Sequence, residues 1–106
     1  MAKTISGEVT LKHGARKIRL RLDVGVMMDL EDHFDMGLVP FLANRLPEFR
    51  LTDLAVLYLA MTGKEYDEPE KVKAAAATVM KIGLMPVATA IGQVFEATLM
   101  PETPGK

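Results

Sequence analysis

Between Lys17 and Phe34 the hydrophobic period of the chain changes from two to nearly four within a few residues, and this change constrains the fold more than any other feature. In the stretch from Lys17 to Val24, the apolar Ile18, Leu20, Leu22 and Val24 alternate with Lys17, Arg19, Arg21 and Asp23. That is the pattern of a strand with one buried face. From Val24 onward, Val24, Met27, Met28, Leu30 and Phe34 recur at helical spacing, with Asp29, Glu31, Asp32 and Asp35 mostly on the other side of about three turns of helix. Asp23 stands at the junction, where its carboxylate can accept from the free N–H groups of the first turn, and is the expected N-cap.

Upstream, Ile5, Gly7, Val9 and Leu11 alternate with Ser6, Glu8, Thr10 and Lys12, and His13-Gly14-Ala15-Arg16 follows. The two alternating runs predict a hairpin whose two-residue turn has Gly14 at positive φ. Its register sets Leu11 opposite Ile18, Val9 opposite Leu20, Gly7 opposite Leu22 and Glu8 opposite Arg21. This places the apolar residues of both strands on one face, which a slip by one residue would destroy. A lone hairpin is marginal in water, so its apolar face must be covered by the helices downstream.

The remainder reads as helices. Gly37 suits the left-handed position after the first helix, and Leu38 to Leu46 forms a short second helix with Pro40 in its first turn and Pro47 closing it. Thr52 is the expected cap of a third helix, with Leu51 stapled onto Val56. That helix, DLAVLYLAMT, is apolar nearly all round and belongs at the centre of the core or in an oligomer contact; Gly63 ends it. Asp67 and Glu70 have the spacing of a capping box around Pro69 at the start of a fourth helix. This helix runs to about Ile82, with Val72, Ala75, Ala76, Val79 and Ile82 on one face. Gly83 follows as its terminator, with Leu84 and Met85 packing back over the helix end. Pro86 then opens a fifth helix, striped by Val87, Ile91, Val94, Phe95, Thr98 and Leu99. The expected architecture is α+β and mostly α, an N-terminal two-stranded antiparallel hairpin packed on about four to five helices. One domain over residues 1–100 and a disordered tail at 101–106 fit the 106 residues.

Function classes narrow by elimination. With no cysteine there is neither a disulfide nor a thiolate metal site. No segment approaches the roughly 20 apolar residues of a membrane span and the start lacks a secretory run, so the cytoplasm is the expected compartment. No Ser, Thr or Lys sits in a nucleophile motif, and the glycines form neither a P-loop nor a dinucleotide loop; an enzyme is not expected, nor is a cofactor. Asp29 and His33, four apart on one helical face, offer two ligands to a divalent ion but lack a third, and otherwise form an exposed helical pair.

The net charge of −1 conceals a split: residues 1–22 carry six Lys/Arg against one Glu, and residues 23–35 carry five acids and no Lys or Arg. Such a split suits self-complementary contacts or two partner surfaces, against the simpler reading of an ordinary solvated face. Lys12, Lys17, Arg19 and Arg21, with Arg16 at the turn, could follow a nucleic-acid backbone, but no aromatic residue accompanies them on that face and the chain is slightly acidic. Nucleic acid is therefore a lesser alternative. Among the eight methionines, Met27, Met28, Met61, Met80 and Met85 either supply an adaptable partner surface or fill a small core.

The motifs G-E-V-x-L at Gly7 to Leu11, L-R-L-D at Leu20 to Asp23, D-L-E-D-H-F at Asp29 to Phe34 and L-T-D-L at Leu51 to Leu54 occur in an order that resembles a family of small phage and gene-transfer-agent tail proteins, described as tail tube proteins or tail assembly chaperones. The likeness spans about residues 5 to 100. Family members often carry Gly where Ala15 stands and a richer Ala/Leu C-terminal half. The resemblance implies a non-enzymatic morphogenesis protein that acts by protein contacts. Its partners would be tail proteins such as the tape-measure or tail tube protein, and homo-oligomers are expected. A chaperone shielding hydrophobic tape-measure segments fits a mostly helical chain better than a tube subunit, which needs a broad sheet. A structural subunit or adaptor is the alternative. If the hairpin and first helix form one side of a partner groove, the candidate contacts are Arg19, Arg21, Met27, Met28 and Glu31.

Overall fold

The computed structural model describes residues 8–99. Strands β1 (Val9–His13) and β2 (Arg16–Leu20) pair antiparallel, with Leu11 opposite Ile18 and Val9 opposite Leu20. The register is the one that gathers the apolar residues on one face. Gly14 closes the turn at φ 62, and Ala15 stays out of the left-handed region, as a type II′ turn requires. Gly7 and residues 101–106, on which a strand partner and a tail were expected, lie outside the described residues.

Helix α1 spans Val24–Phe34, and Asp23 caps it: the Val26 N–H donates to Asp23 Oδ1 at 2.8 Å. The left-handed residue after α1 is Asp35 (φ 57), not Gly37, whose φ of −67 is ordinary. Asp is among the few side chains that tolerate this region, so the chain turns directly behind the buried Phe34, and Gly37 instead precedes the next helical segment. That segment begins as α2 (Leu38–Pro40), widens into a π-helical turn over Phe41–Arg45 and tightens into a 3₁₀ turn at Leu46–Glu48. The expected second helix is thus present without a uniform α pitch. Pro47 has no N–H to give to a carbonyl one turn back and its ring would crowd that turn, so the ladder changes register before it.

Two caps differ from expectation. Helix α3 (Leu51–Met61) starts ahead of Thr52: Arg50 is its extended N-cap residue, Leu51 occupies the first helical position, and no side chain caps it. Helix α4 (Pro69–Ile82) is entered through Glu68, again with no side-chain cap, instead of through an Asp67–Glu70 box. Proline at the first helical position forces the preceding residue into the extended region, here φ −112, and that residue is Glu68. Gly83, at φ 122, separates α4 from α5 (Leu84–Leu99), which begins before Pro86; the two helices meet at 106°. Pro86 falls in the first turn of α5, where its missing N–H is not required, so Leu84 and Met85 belong to α5 itself.

The core forms around α3. Every residue from Asp53 to Met61 is buried. Helix α4 lies along α3, and α5 lies against α3, α4 and the inner face of the hairpin. Leu11, Ile18, Leu20 and Leu22 enter this core from the hairpin side, Leu30 and Phe34 from α1, and Val87, Ile91, Val94 and Phe95 from α5. The Arg21 N–H donates to the Met61 carbonyl at 3.0 Å and ties the end of β2 to the end of α3. Among the described residues no single helix is long and apolar enough to cross a membrane.

Candidate interaction surface

The outward face of the hairpin follows from its register. Thr10, Lys12, Lys17, Arg19 and Arg21 are all exposed, and Lys12 lies directly opposite Lys17. Like charges so placed repel. Glu8 moderates the row from its end, but through Arg19 (Oε2 to Nε 3.5 Å) and not through Arg21, the partner expected of it. Strand pairing stops at Val9 and Leu20, Arg21 turns its backbone to Met61, and the twist of a two-stranded ribbon favours the diagonal neighbour. The Arg19 side chain remains 79% exposed, so this pair contributes about 0–1 kcal/mol.

Three of the remaining candidates share α1. Val24 and Met28, four residues apart, form an exposed apolar ridge, 67% and 62% accessible. Met27 flanks the ridge and is half-buried against the core. Glu31 is exposed but also structural, since its Oε2 accepts from the Leu38 N–H at 3.2 Å and fixes the corner between α1 and α2. Asp29 and Asp32 complete an acidic outer face. The five candidates therefore fall into two groups, Arg19 and Arg21 on the hairpin and Met27, Met28 and Glu31 on α1. The methionines divide in the same way: Met61 is in the core, whereas Met28, Met80 and Met85 are exposed.

Asp29 and His33 engage an aromatic neighbour. His33 stands edge-on to both Phe34 and Tyr66, with ring centroids 4.9 and 5.3 Å away. Burial, and secondarily the charge of Asp29, raise the Tyr66 phenol above its usual pKa of 10.0. Among the described residues no three His, Asp or Glu side chains are grouped to hold a metal ion. Two open clefts border the loop after α3. One, of about 460 Å³, lies between Val26, Asp29 and Tyr66; the other, of about 600 Å³, lies between Arg16, Tyr58, Lys71 and Thr78.

The best-built polar contact leaves little trace in the sequence pattern. Arg45, on the π-helical turn, donates through Nε and a terminal nitrogen to both oxygens of Asp53 at 2.8 and 3.1 Å. Its guanidinium also lies 5.0 Å from the centre of the Phe34 ring. Asp53 raises the already high Arg45 pKa further, and the planar fork suits a carboxylate. The available signal was a lone carboxylate in the otherwise apolar third helix, since a buried charge requires a partner. The pair joins α3 to the Phe34–Phe41–Phe95 aromatic stack, whose ring centres are 4.4 and 6.2 Å apart.

In comparisons with protein-family models, curated proteins and solved structures, nothing matches the chain.

Proposed function

We propose that this is a non-enzymatic tail-morphogenesis protein of a phage or gene transfer agent, acting in the cytoplasm as an assembly chaperone that covers hydrophobic segments of a tape-measure protein. The observation that carries the reading is where the four motifs of the resemblance fall. Val9 and Leu11 of G-E-V-x-L form the hairpin, and Asp23 of L-R-L-D caps α1. Leu30 and Phe34 of D-L-E-D-H-F enter the core while Glu31 holds the next corner. Asp53 of L-T-D-L anchors Arg45. Each motif thus supplies a strand, a helix cap, core residues or a buried ion pair, which supports a likeness at the level of the fold.

The choice of chaperone over tube subunit rests on the sheet, which among the described residues has two strands. A tube wall needs a broad sheet, whereas exposed Val24, Met28, Met80 and Met85 offer the soft apolar contacts with which a chaperone holds a partner. Co-expression with a phage-type tape-measure protein tests the reading. The expected result is a soluble complex that is absent from finished particles. Tape-measure segments that precipitate equally with and without this protein would refute it, and recovery of the protein in finished particles would make it a structural subunit.

A further inference from the structure

We infer that the protein binds a second copy of itself, the basic outer face of one hairpin seating on the acidic outer face of α1 in the other copy. This does not rest on the tail-assembly reading. Lys12, Lys17 and Arg21 have no carboxylate partner within 4.0 Å among the described residues, and Arg19 has only the long contact to Glu8. Among the described residues the same three ion pairs leave Asp29, Glu31 and Asp32 without a cation. One chain thus presents two unneutralised patches of opposite sign, on elements separated by the three residues Arg21 to Asp23.

The basic row from Lys17 to Arg21 covers four residue steps, or about 13 Å of extended chain, and the acids from Asp29 to Asp32 cover about 5 Å along α1, so the row is long enough to span the whole acidic cluster. Beside the acids, the Val24–Met28 ridge supplies apolar surface for the middle of a contact, with charges at its margin, as in protein interfaces generally. An anionic surface over the hairpin would relieve the repulsion between Lys12 and Lys17, which the fold itself leaves uncompensated. With a net charge of −1, two copies approach without appreciable mutual repulsion.

Sedimentation of the full chain, from a Debye length of about 30 Å at about 10 mM salt to about 3 Å at about 1 M, reads the contact directly. Association at low salt should weaken at least about tenfold in apparent Kd across that range, since exposed charges are screened. Arg19→Glu/Arg21→Glu and Asp29→Lys/Asp32→Lys, all at exposed positions, should each abolish it with circular dichroism unchanged. Mixing the two variants should restore it, because the intact hairpin of one meets the intact α1 of the other. A chain monomeric at low salt, association indifferent to both swaps, or a mixture that stays dissociated would overturn the proposal. Loss with the hairpin swap alone would point to another anionic partner, nucleic acid included, and would equally overturn α1 as the occupant.

Discussion

The Arg45–Asp53 pair makes an asymmetric prediction about which partner the fold can lose. The Asp53 side chain is 4% exposed and that of Arg45 29% exposed, so the two are not equivalent when left alone. Arg45→Met keeps an aliphatic stem against Phe34 and strands a carboxylate with little access to water. Breaking a buried pair in this way costs about 3–5 kcal/mol. The position of Asp53 in the first turn of α3, where the helix dipole favours an anion, holds the cost to about 3 kcal/mol. Asp53→Asn leaves Arg45 with a neutral acceptor and a path to solvent, and should cost about 1–2 kcal/mol. The double variant Arg45→Met/Asp53→Asn removes the stranded charge and should be more stable than Arg45→Met alone. Urea unfolding of the four proteins closes the cycle, and the Arg45→Met melting temperature should fall by about 15 °C. A double variant whose loss equals or exceeds the sum of the two singles, or an Asp53→Asn loss larger than that of Arg45→Met, would refute the reasoning.

Four further outcomes concern the backbone and Tyr66. Gly83→Ala should destabilise by about 2 kcal/mol or more in urea, because its Cβ would stand 3.0 Å from Pro86 Cδ at a φ of 122. Gly14→Ala, with nothing within 4 Å of the added Cβ, should cost only the backbone strain of a side chain at the first central position of a type II′ turn, about 1–3 kcal/mol. Asp35→Gly should stabilise by about 0.5 kcal/mol in the same assay, since it relieves a left-handed side chain and removes an anion from the negative end of α1. Ring-labelled tyrosine NMR should place Tyr66 above its ordinary pKa, and Asp29→Asn should return it only part of the way, burial being the larger cause. With the folded value raised, the neutral phenol is the form the fold favours. The folded state binds more protons above pH 10.0, so this contribution to stability is lost as pH rises past that point.

The hairpin register could be read from the chain because period-two alternation on both strands admits one alignment that buries Leu11, Ile18 and Leu20 together. Asp23 was legible for a similar reason, standing where one period gives way to the other. The burial of α3 followed from composition alone. The starts of α3 and α4 were not legible from cap preferences, because stronger local constraints decided them. Starting α3 at Leu51 puts Asp53 in its first turn, where it meets Arg45; Pro69 assigned the position before it to Glu68. The π-helical turn was hidden for want of any periodic signal in five residues, FLANR. Within the candidate surface, exposure of Arg19 and Arg21 could be predicted from strand alternation. The backbone bond that turns Arg21 toward Met61 is a tertiary contact with no trace in the local pattern.

That division bears on how variants of this protein should be read. The polar residues that carry the fold, Asp23, Glu31, Asp53 and Arg45, each satisfy a particular backbone or side-chain partner at a junction between elements. Among the described residues the charges on the hairpin and on the flank of α1 satisfy almost none, apart from the long Glu8–Arg19 contact. Substitution in the first set should therefore appear as lost stability whatever the partner, since a buried or capping group is left unpaired. Substitution at Arg19, Arg21, Asp29 or Asp32 should leave unfolding nearly unchanged, exposed charges contributing about 0–1 kcal/mol, and alter association alone. Glu31 belongs to both sets, since it lies on the acidic face and also caps the Leu38 N–H. Glu31→Gln should separate the two roles: the amide oxygen still accepts from Leu38, so stability should hold, while the charge available to a second copy is gone. A Glu31→Gln protein that loses stability yet associates as before would assign Glu31 to the fold alone and remove it from the contact surface.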